Sequence, residues 1–268
     1  MNAETITSRD NSLLKLTRSV REGKTTEYIF VEGLRLCEEA LRSGLSLEAV
    51  IISEELATKE KPAAILTALA AASKRTALVS EKLLESVSYT KTPQGIILLA
   101  DRPEMNEQRL SVDQQQALIV VMHRINNPVN VGAIVRTAEA AGASGIVATA
   151  HTADPFSPKA LRGAMGSAFR LPVWFGPTYD DAISWLKQRN IQTVCADVHA
   201  AETYDEVDWS KPSALIVGPE SSGLSAEEIA LADAAVRIPM HGPAESLNVA
   251  VATGVLLYEA ARQREQQG

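Results

Sequence analysis

Cysteine and aromatic residues are scarce in this chain: two cysteines stand among 268 residues, and Phe, Trp and Tyr together make up 4%. Cys37 and Cys195 are far apart and belong to no Cys-x-x-Cys pair, which excludes a disulfide framework, a thiol redox motif and a zinc motif. Two reduced, buried thiols are expected instead. His123, His151, His199 and His241 are scattered without a His-x-x-x-His pair, so no protein-bound metal is expected. Long hydrophobic runs are missing as well, since no stretch approaches the ~18 apolar residues of a membrane span. The opening MNAETITSRDN is polar and lacks the apolar core of a signal peptide, so the expected location is cytoplasmic. With few aromatics available, the core must be built from Ala, Val, Leu and Ile. The hydrophobic fraction of 46% is that of a folded globular chain.

Positive charge is in deficit: 26 basic residues face 33 acidic ones, for a net charge of −7. That argues against a nonspecific polyanion binder and leaves room for a local basic groove. The deficit is uneven, with net −1 over the first 105 residues and −6 over the remainder. Residues 12–24 carry Lys15, Arg18, Arg21 and Lys24 against the single Glu22. From charge alone, such a run describes a solvated helix face more readily than a phosphate-binding edge.

The apolar pattern divides the chain into two α/β series. In the first, Asn11 or Ser12 can cap a helix ending near Gly23. Strands at 28–31, 49–52, 77–79 and 95–100 then alternate with helices at 33–42, 62–72 and 81–86. Unbroken apolar strands alternating with helices predict a mostly parallel sheet covered on both faces. Residues 101–116, DRPEMNEQRLSVDQQQ, lose the apolar runs and gain Pro, Gln and charge. The expected division is a first domain over 1–103, a linker over 104–116 and a second domain over 117–268. In the second, strands are expected at 117–121, 145–147, 193–195, 214–217 and 236–238, with an extended 172–175. Its helices are expected at 131–141, 157–165, 180–189, 225–231 and about 247–263. No internal repeat or low-complexity tract is present.

In open α/β sheets, ligands bind beyond the carboxyl ends of the strands. Three loops of the second series sit there and are rich in Gly, Pro and Asn: NNPVNVG at 126–132, GPESSG at 218–223 and PMHGPAES at 239–246. Each has a purely structural reading. Asn130 could cap its helix with Pro128 stiffening the approach, Gly218 and Gly223 could be turn glycines, and Ser246 could cap the last helix. Together, three strand-end loops of this composition should converge on one place. They are not a GxGxxG loop, a GxxxxGK[ST] loop or a Gly-x-Ser-x-Gly elbow, which disfavours the ordinary dinucleotide, P-loop and serine-hydrolase readings.

The combination resembles the SpoU/TrmH family of the SPOUT RNA methyltransferases. Asn130 to Ala138 (NVGAIVRTA), Ile216 to Leu224 (IVGPESSGL), and Ile238-Pro239-Met240 with Ser246 to Ala252 (SLNVAVA) look like its three signature motifs, in order and at similar spacing. Ser8-Arg9-Asp10-Asn11 and Val31-Glu32-Gly33-Leu34-Arg35 are similar to the substrate-binding domain that precedes many rRNA ribose methyltransferases of the family. Two positions depart from the pattern: Asn127 stands where Asp often precedes the proline, and Pro219 where Asn or Ser often precedes the glutamate.

The resemblance implies a SPOUT domain with a parallel sheet and a deep trefoil knot, preceded by a small ribosomal-protein-like α/β domain that binds RNA. It implies S-adenosylmethionine as cofactor, held around Gly218, Ile238, Met240 and Leu247. It implies methyl transfer to a ribose 2′-hydroxyl of structured RNA, large-subunit rRNA foremost, with Arg136 at the catalytic position. A guanidinium is a poor general base. Arg136 is therefore expected to grip the adjacent phosphate and orient the hydroxyl, while that phosphate or water takes the proton. Asn130, Glu220, Ser246 and Asn248 are expected to hold Arg136 and the ribose. Arg9, Asn11, Lys15, Arg18 and Arg35 are the expected RNA contacts, and a homodimer through the second domain is expected, with Val251, Val255 and Tyr258 contributing. The alternatives are a tRNA ribose methyltransferase of the same branch and a non-catalytic RNA-binding or ribosome-assembly factor of the same fold. An unrelated small-molecule enzyme has no nucleotide fingerprint or triad in its favour.

Overall fold

Short apolar runs such as IILLA and LIVVM, too brief for stable helices, form the inner strands of the two sheets. The structure, a computed structural model, describes residues 3–110 and 116–266. It comprises two compact units, one of residues 1–103 with 156–170 and one of residues 104–155 with 171–268.

The first chain segment runs β1 (Glu4–Ile6), α1 (Ser12–Arg21), β2 (Tyr28–Glu32), α2 (Leu34–Arg42), β3 (Leu47–Ser53), α3 (Glu54–Ala57), α4 (Ala63–Ala72), β4 (Ser73–Val79), α5 (Glu81–Val87) and β5 (Ile96–Asp101). The sheet order is β1-β4-β3-β5-β2. Strand β4 is parallel to β1 and β3, whereas β5 is antiparallel to both β3 and β2. The sheet is therefore mixed, not mostly parallel. The run IILLA is buried on both faces and reads the same in either direction, so composition could not reveal its sense. Strand β1 was also not expected. It is a three-residue edge strand with only Ile6 pointing inward, too short for a period-2 pattern. Asn11 does cap α1, its Oδ1 accepting from the Leu13 amide at 2.8 Å.

The second segment runs β6 (Leu118–Met122), α6 (Pro128–Ala140), β7 (Gly145–Ala148), α7 (Pro158–Ala164), α8 (Ser167–Arg170), β8 (Val173–Phe175), α9 (Tyr179–Gln188), β9 (Gln192–Ala196), β10 (Glu202–Thr203), β11 (Ser213–Val217), α10 (Ala226–Ala230), β12 (Ala234–Arg237) and α11 (Val249–Glu265). Its seven strands pair in the order β10-β12-β9-β11-β6-β7-β8, every pair parallel. Helices α7 and α8 belong to the first unit, where α7 packs against β2 and the Arg170 guanidinium meets Glu39 at 2.5 Å. A division by sequence position alone missed this excursion. The expected linker also departs from expectation: Leu110 is buried in the second core, and the Phe175 amide donates to the Met105 carbonyl at 3.1 Å. Residues 111–115 of that segment lie outside the described residues.

Two polar devices fix the late elements of the second unit. Asp233, at the entry to β12, accepts from the amide and the hydroxyl of Thr193 at 2.8 Å each, and its own amide donates back to Thr193. At the other end, Arg264 ties the last turn of α11 to the backbone. Its guanidinium donates to the carbonyls of Trp209 (2.9 Å), Gln116 (2.7 Å), Ala117 (2.8 Å) and Lys211 (2.8 Å). Burial lowers its pKa from the ordinary guanidinium value. No helix among the described residues is long and apolar enough to cross a membrane.

Removing a charged donor from four carbonyls leaves acceptors without partners. Arg264→Met is therefore expected to lower the unfolding free energy by ~3 kcal/mol. A urea melt reads this as a lower midpoint at unchanged slope. A midpoint equal to that of the parent chain would show that the four contacts contribute nothing.

Candidate active site

Strands β6 and β11 are parallel neighbours with Met122 opposite Val217, so the loops that follow them leave the same edge of the sheet. The His123 amide extends the ladder by one bond, to the Val217 carbonyl at 2.9 Å. Asn127 then caps α6, its side chain accepting from the Val129 amide at 3.0 Å, with Pro128 in the first turn. Asn130 is thus not the cap that its sequence position allowed. It lies inside the first turn, 7% exposed, with its amide free for other work. Nδ2 donates to Oε1 of Glu220 in a short hydrogen bond, and Oδ1 accepts from Nδ2 of Asn248 at 3.3 Å. Asn248 caps α11 in place of Ser246, accepting from the Ala250 and Val251 amides. One buried asparagine therefore joins the loop before α6, the loop after β11 and the start of the last helix.

Beside this junction is a cavity of about 640 Å³. All four expected cofactor residues, Gly218, Ile238, Met240 and Leu247, line it, and so do Glu220 and Ser246. Val217, Leu224, Val236 and Leu256 supply apolar wall, and Asp197 and Glu245 add carboxylates. Gly218 is required for close packing: a Cβ there would sit 2.8 Å from Cγ of Leu224 and 3.0 Å from the Leu224 amide nitrogen. Its φ is not positive, whereas Gly223 turns the loop with φ +65°.

Arg136 is the exception. It is exposed on α6 and makes no hydrogen bond or ion pair among the described residues. The expectation that Asn130, Glu220 and Asn248 hold it is not met, because they bond to one another. Six residues along an α-helix is ~600° of rotation, which turns Arg136 ~120° away from the Asn130 face.

A second polar cluster adjoins the same loops and was not anticipated. His123, 5% exposed, has Nδ1 3.0 Å from the Thr149 hydroxyl and Nε2 3.0 Å from Oε1 of Glu228. The Arg124 guanidinium reaches the same Oε1 at 2.6 Å, from a backbone with φ +52°. Burial lowers the pKa of His123, with Arg124 adding to the effect and Glu228 opposing it. Burial also raises that of Glu228, but the Ser225 amide and the neighbouring positive groups outweigh it and hold the carboxyl below its usual range. His123 and Glu228 are 105 positions apart, and no local pattern links them.

In the first unit, Arg9 and Arg35 are exposed. Arg18 donates to the Arg9 carbonyl at 2.7 Å, Lys15 pairs with Asp10 at 3.3 Å, and Asn11 serves as a cap. The structure therefore gives Arg18, Lys15 and Asn11 intramolecular partners. Cys37 and Cys195 are free and buried, and burial pushes the Cys195 thiol up to about 11. Among the described residues, no group of three or more His, Cys, Asp or Glu side chains could hold a metal ion.

Residues 117–258 match the SpoU rRNA Methylase family, and residues 11–98 match the MRM3-like substrate binding domain. An uncharacterized tRNA/rRNA methyltransferase of Synechocystis sp. is 34% identical, over 97% of this chain and 94% of the relative. The 23S rRNA (guanosine(2553)-2′-O)-methyltransferase RlmP of Bacillus subtilis is 32% identical, over 91% of this chain and 92% of its own. Among solved structures, the AdoMet-bound rRNA methyltransferase from Sinorhizobium meliloti superposes with a TM-score of 0.86 at 32% identity, covering 97% of this chain and 98% of that one. The SpoU methyltransferase AviRb from Streptomyces viridochromogenes, in complex with AdoMet, gives a TM-score of 0.84 at 28% identity, covering 95% and 98%.

The buried histidine makes a pH-dependent contribution. Its folded pKa lies below the unfolded value of 6.5, so the unfolded chain binds the proton more readily. The stability linked to neutral His123 is present above that value and is lost as pH falls through the folded pKa. Thermal melts at about pH 7.5 and about pH 5.5 should show the parent chain losing more stability than His123→Gln. A difference between the two proteins that does not change with pH would refute the linkage.

Proposed function

Since the chain belongs to the SpoU rRNA methylase family, an S-adenosylmethionine-dependent methyltransferase of rRNA ribose 2′-hydroxyls, we propose how its own residues carry that reaction. The observation that carries the assignment is the Asn130–Glu220–Asn248 junction at the edge of the 640 Å³ cavity. That volume lies within the ~300–1,000 Å³ usual for small-molecule sites. Its residues fit the cofactor: Ile238, Leu247 and Leu224 offer an apolar slot for a purine, and Asp197, Glu220 and Glu245 favour a cationic ligand. Bound there, S-adenosylmethionine supplies an electrophilic methyl group on a sulfonium.

The task of the chain is alignment, for which good positioning is worth roughly 7–11 kcal/mol. Arg136, with no partner of its own among the described residues, grips the phosphate beside the target ribose and orients the 2′-hydroxyl. That phosphate or water removes the hydroxyl proton, since a guanidinium has no lone pair to accept it. Asn130, held by Glu220 and Asn248, fixes the loop edge against which the ribose lies, and Ser246 adds a hydroxyl at the cavity wall. The substrate is large-subunit rRNA, in line with the 23S rRNA named for the Bacillus subtilis relative and with the substrate-binding domain match over 11–98. Arg9, Lys15, Arg18 and Arg35 contribute contacts to its backbone, and Asn11 shapes the turn that presents them.

Two further features belong to this reading. Val129, Leu247, Val251 and Tyr258 are exposed on or beside the packed helices α6 and α11, an apolar patch suited to a homodimer. The strand β12, late in sequence, lies inside the sheet between β9 and β10, an order suited to the family's trefoil knot. The proposed location is the cytoplasm.

Arg136→Ala is expected to lower kcat by roughly a hundredfold or more, with S-adenosylmethionine affinity unchanged by calorimetry. A variant with near-normal turnover removes Arg136 from its role. Gly218→Ala should do the reverse and weaken cofactor binding about tenfold, because Leu224 must shift into the cavity. Mapping ribose methylation across rRNA from cells with and without the protein identifies the nucleotide. An unchanged map would refute the rRNA assignment.

A further inference from the structure

Glu32, the last residue of β2, is 7% exposed, and its hydrogen bonds among the described residues all serve one loop. Oε2 accepts from the amides of Tyr89 at 2.9 Å and Thr90 at 3.1 Å, and Oε1 accepts from the Thr90 hydroxyl at 2.5 Å. The Arg21 guanidinium adds a fourth tie, to the Ser88 carbonyl at 3.0 Å. Gln94 closes the far side, its Oε1 2.7 Å from where a Cβ on Gly33 would stand, and Gly33 holds φ +100°. Burying a carboxyl group is costly unless it gains hydrogen bonds, and here every gain goes into immobilising Tyr89 and Thr90.

What the loop presents is an unused aromatic. Tyr89 is 43% exposed, and its hydroxyl has no hydrogen-bond partner among the described residues. Lys91, two residues on, and Arg35, in the first turn of α2 just beyond Glu32 and Gly33, are exposed and without an ion pair among the described residues. An exposed ring on a tied-down loop, with unpaired cations on the same loop and at the start of the helix that follows Glu32, is an arrangement that can stack an unpaired nucleobase and hold its phosphates.

We propose that Tyr89, set by Glu32 and flanked by Lys91 and Arg35, is a stacking site for a splayed-out nucleotide of the RNA substrate. The site extends the RNA contacts beyond the α1 region and rests on the reading of the chain as an RNA methyltransferase. Every base has a π face, so the ring supplies affinity for unpaired RNA without choosing a sequence. Lys91 and Arg35 make the binding dependent on salt.

The whole chain is tested in two arms. In the first, fluorescence anisotropy measures binding of a short single-stranded oligouridine and of a duplex of equal length. Tyr89→Ala should weaken the single strand about tenfold, and Tyr89→Phe, which keeps the ring, should bind like the parent. The duplex should be insensitive to both changes. In the second, methylation of unmodified rRNA by Tyr89→Ala should show a raised KM for RNA, with kcat and calorimetric S-adenosylmethionine affinity unchanged. Tyr89→Ala binding oligouridine within about twofold of the parent overturns the stacking site, as does equal weakening of single strand and duplex. Failure of the parent chain to methylate any rRNA overturns the functional reading, and the anisotropy arm still decides the stacking site. Because Tyr89 is exposed, its variants should melt like the parent.

Discussion

The side chain of Asn130 is the constraint on which the site depends. A buried amide must satisfy both its donor and its acceptor, and in this molecule each is satisfied by a different loop: Glu220 after β11 and Asn248 at the start of α11. The contact is available only because β6 and β11 are parallel neighbours in register, so that one strand's loop emerges beside the other's. Asn127 contributes indirectly by taking over the helix cap, which frees Asn130 to face inward. Replacing either partner with an apolar group would strand a buried polar atom, at a cost of roughly 1–3 kcal/mol, and would uncouple the loops that form the cavity.

The same sheet explains which parts of the fold were legible in the sequence. LIVVM and ALIV are short apolar runs that are buried throughout, and their length and β-branched content read most simply as buried strands. The two residues of β10 and the three of β1 fall below the length at which any period can be read. The reversed sense of β5 was hidden for a different reason. Direction is a property of the connection, and the loop from α5 to β5 carries it through contacts such as those of Glu32, 57 positions away from Tyr89. The excursion of 156–170 into the first unit is likewise a matter of partners distant in sequence, Glu39 among them.

The site divides along the same line. The four residues Gly218, Ile238, Met240 and Leu247 were legible because the resemblance of their motifs to the SpoU/TrmH family implied them, and all four line one cavity. The partnerships were not. That Asn127 caps and Asn130 bridges is settled by the turn geometry around Pro128, whereas position alone offered Asn130 as the cap. The arrangement expected around Arg136 was not legible, since helical rotation turns it away from the residues expected to hold it. The His123–Glu228–Arg124 cluster gave no signal at all, being assembled from the loop after β6 and from α10, about a hundred positions apart, with a left-handed residue at its centre.

The charge distribution then acquires a physical sense that the net value alone does not give. An acidic surplus is a poor surface for RNA but a good lining for a site that receives a sulfonium, and Asp197, Glu220 and Glu245 surround the cavity. The methylated donor carries one more positive charge than the thioether left after transfer, so carboxylates at this site would favour the donor over its product. The surplus is concentrated in the second part of the chain, at −6, while the first part is close to neutral at −1. A nearly neutral N-terminal segment can meet a polyanion with a few unpaired cations such as Arg35 and Lys91, keeping nonspecific affinity low while leaving stacking and shape to supply the rest.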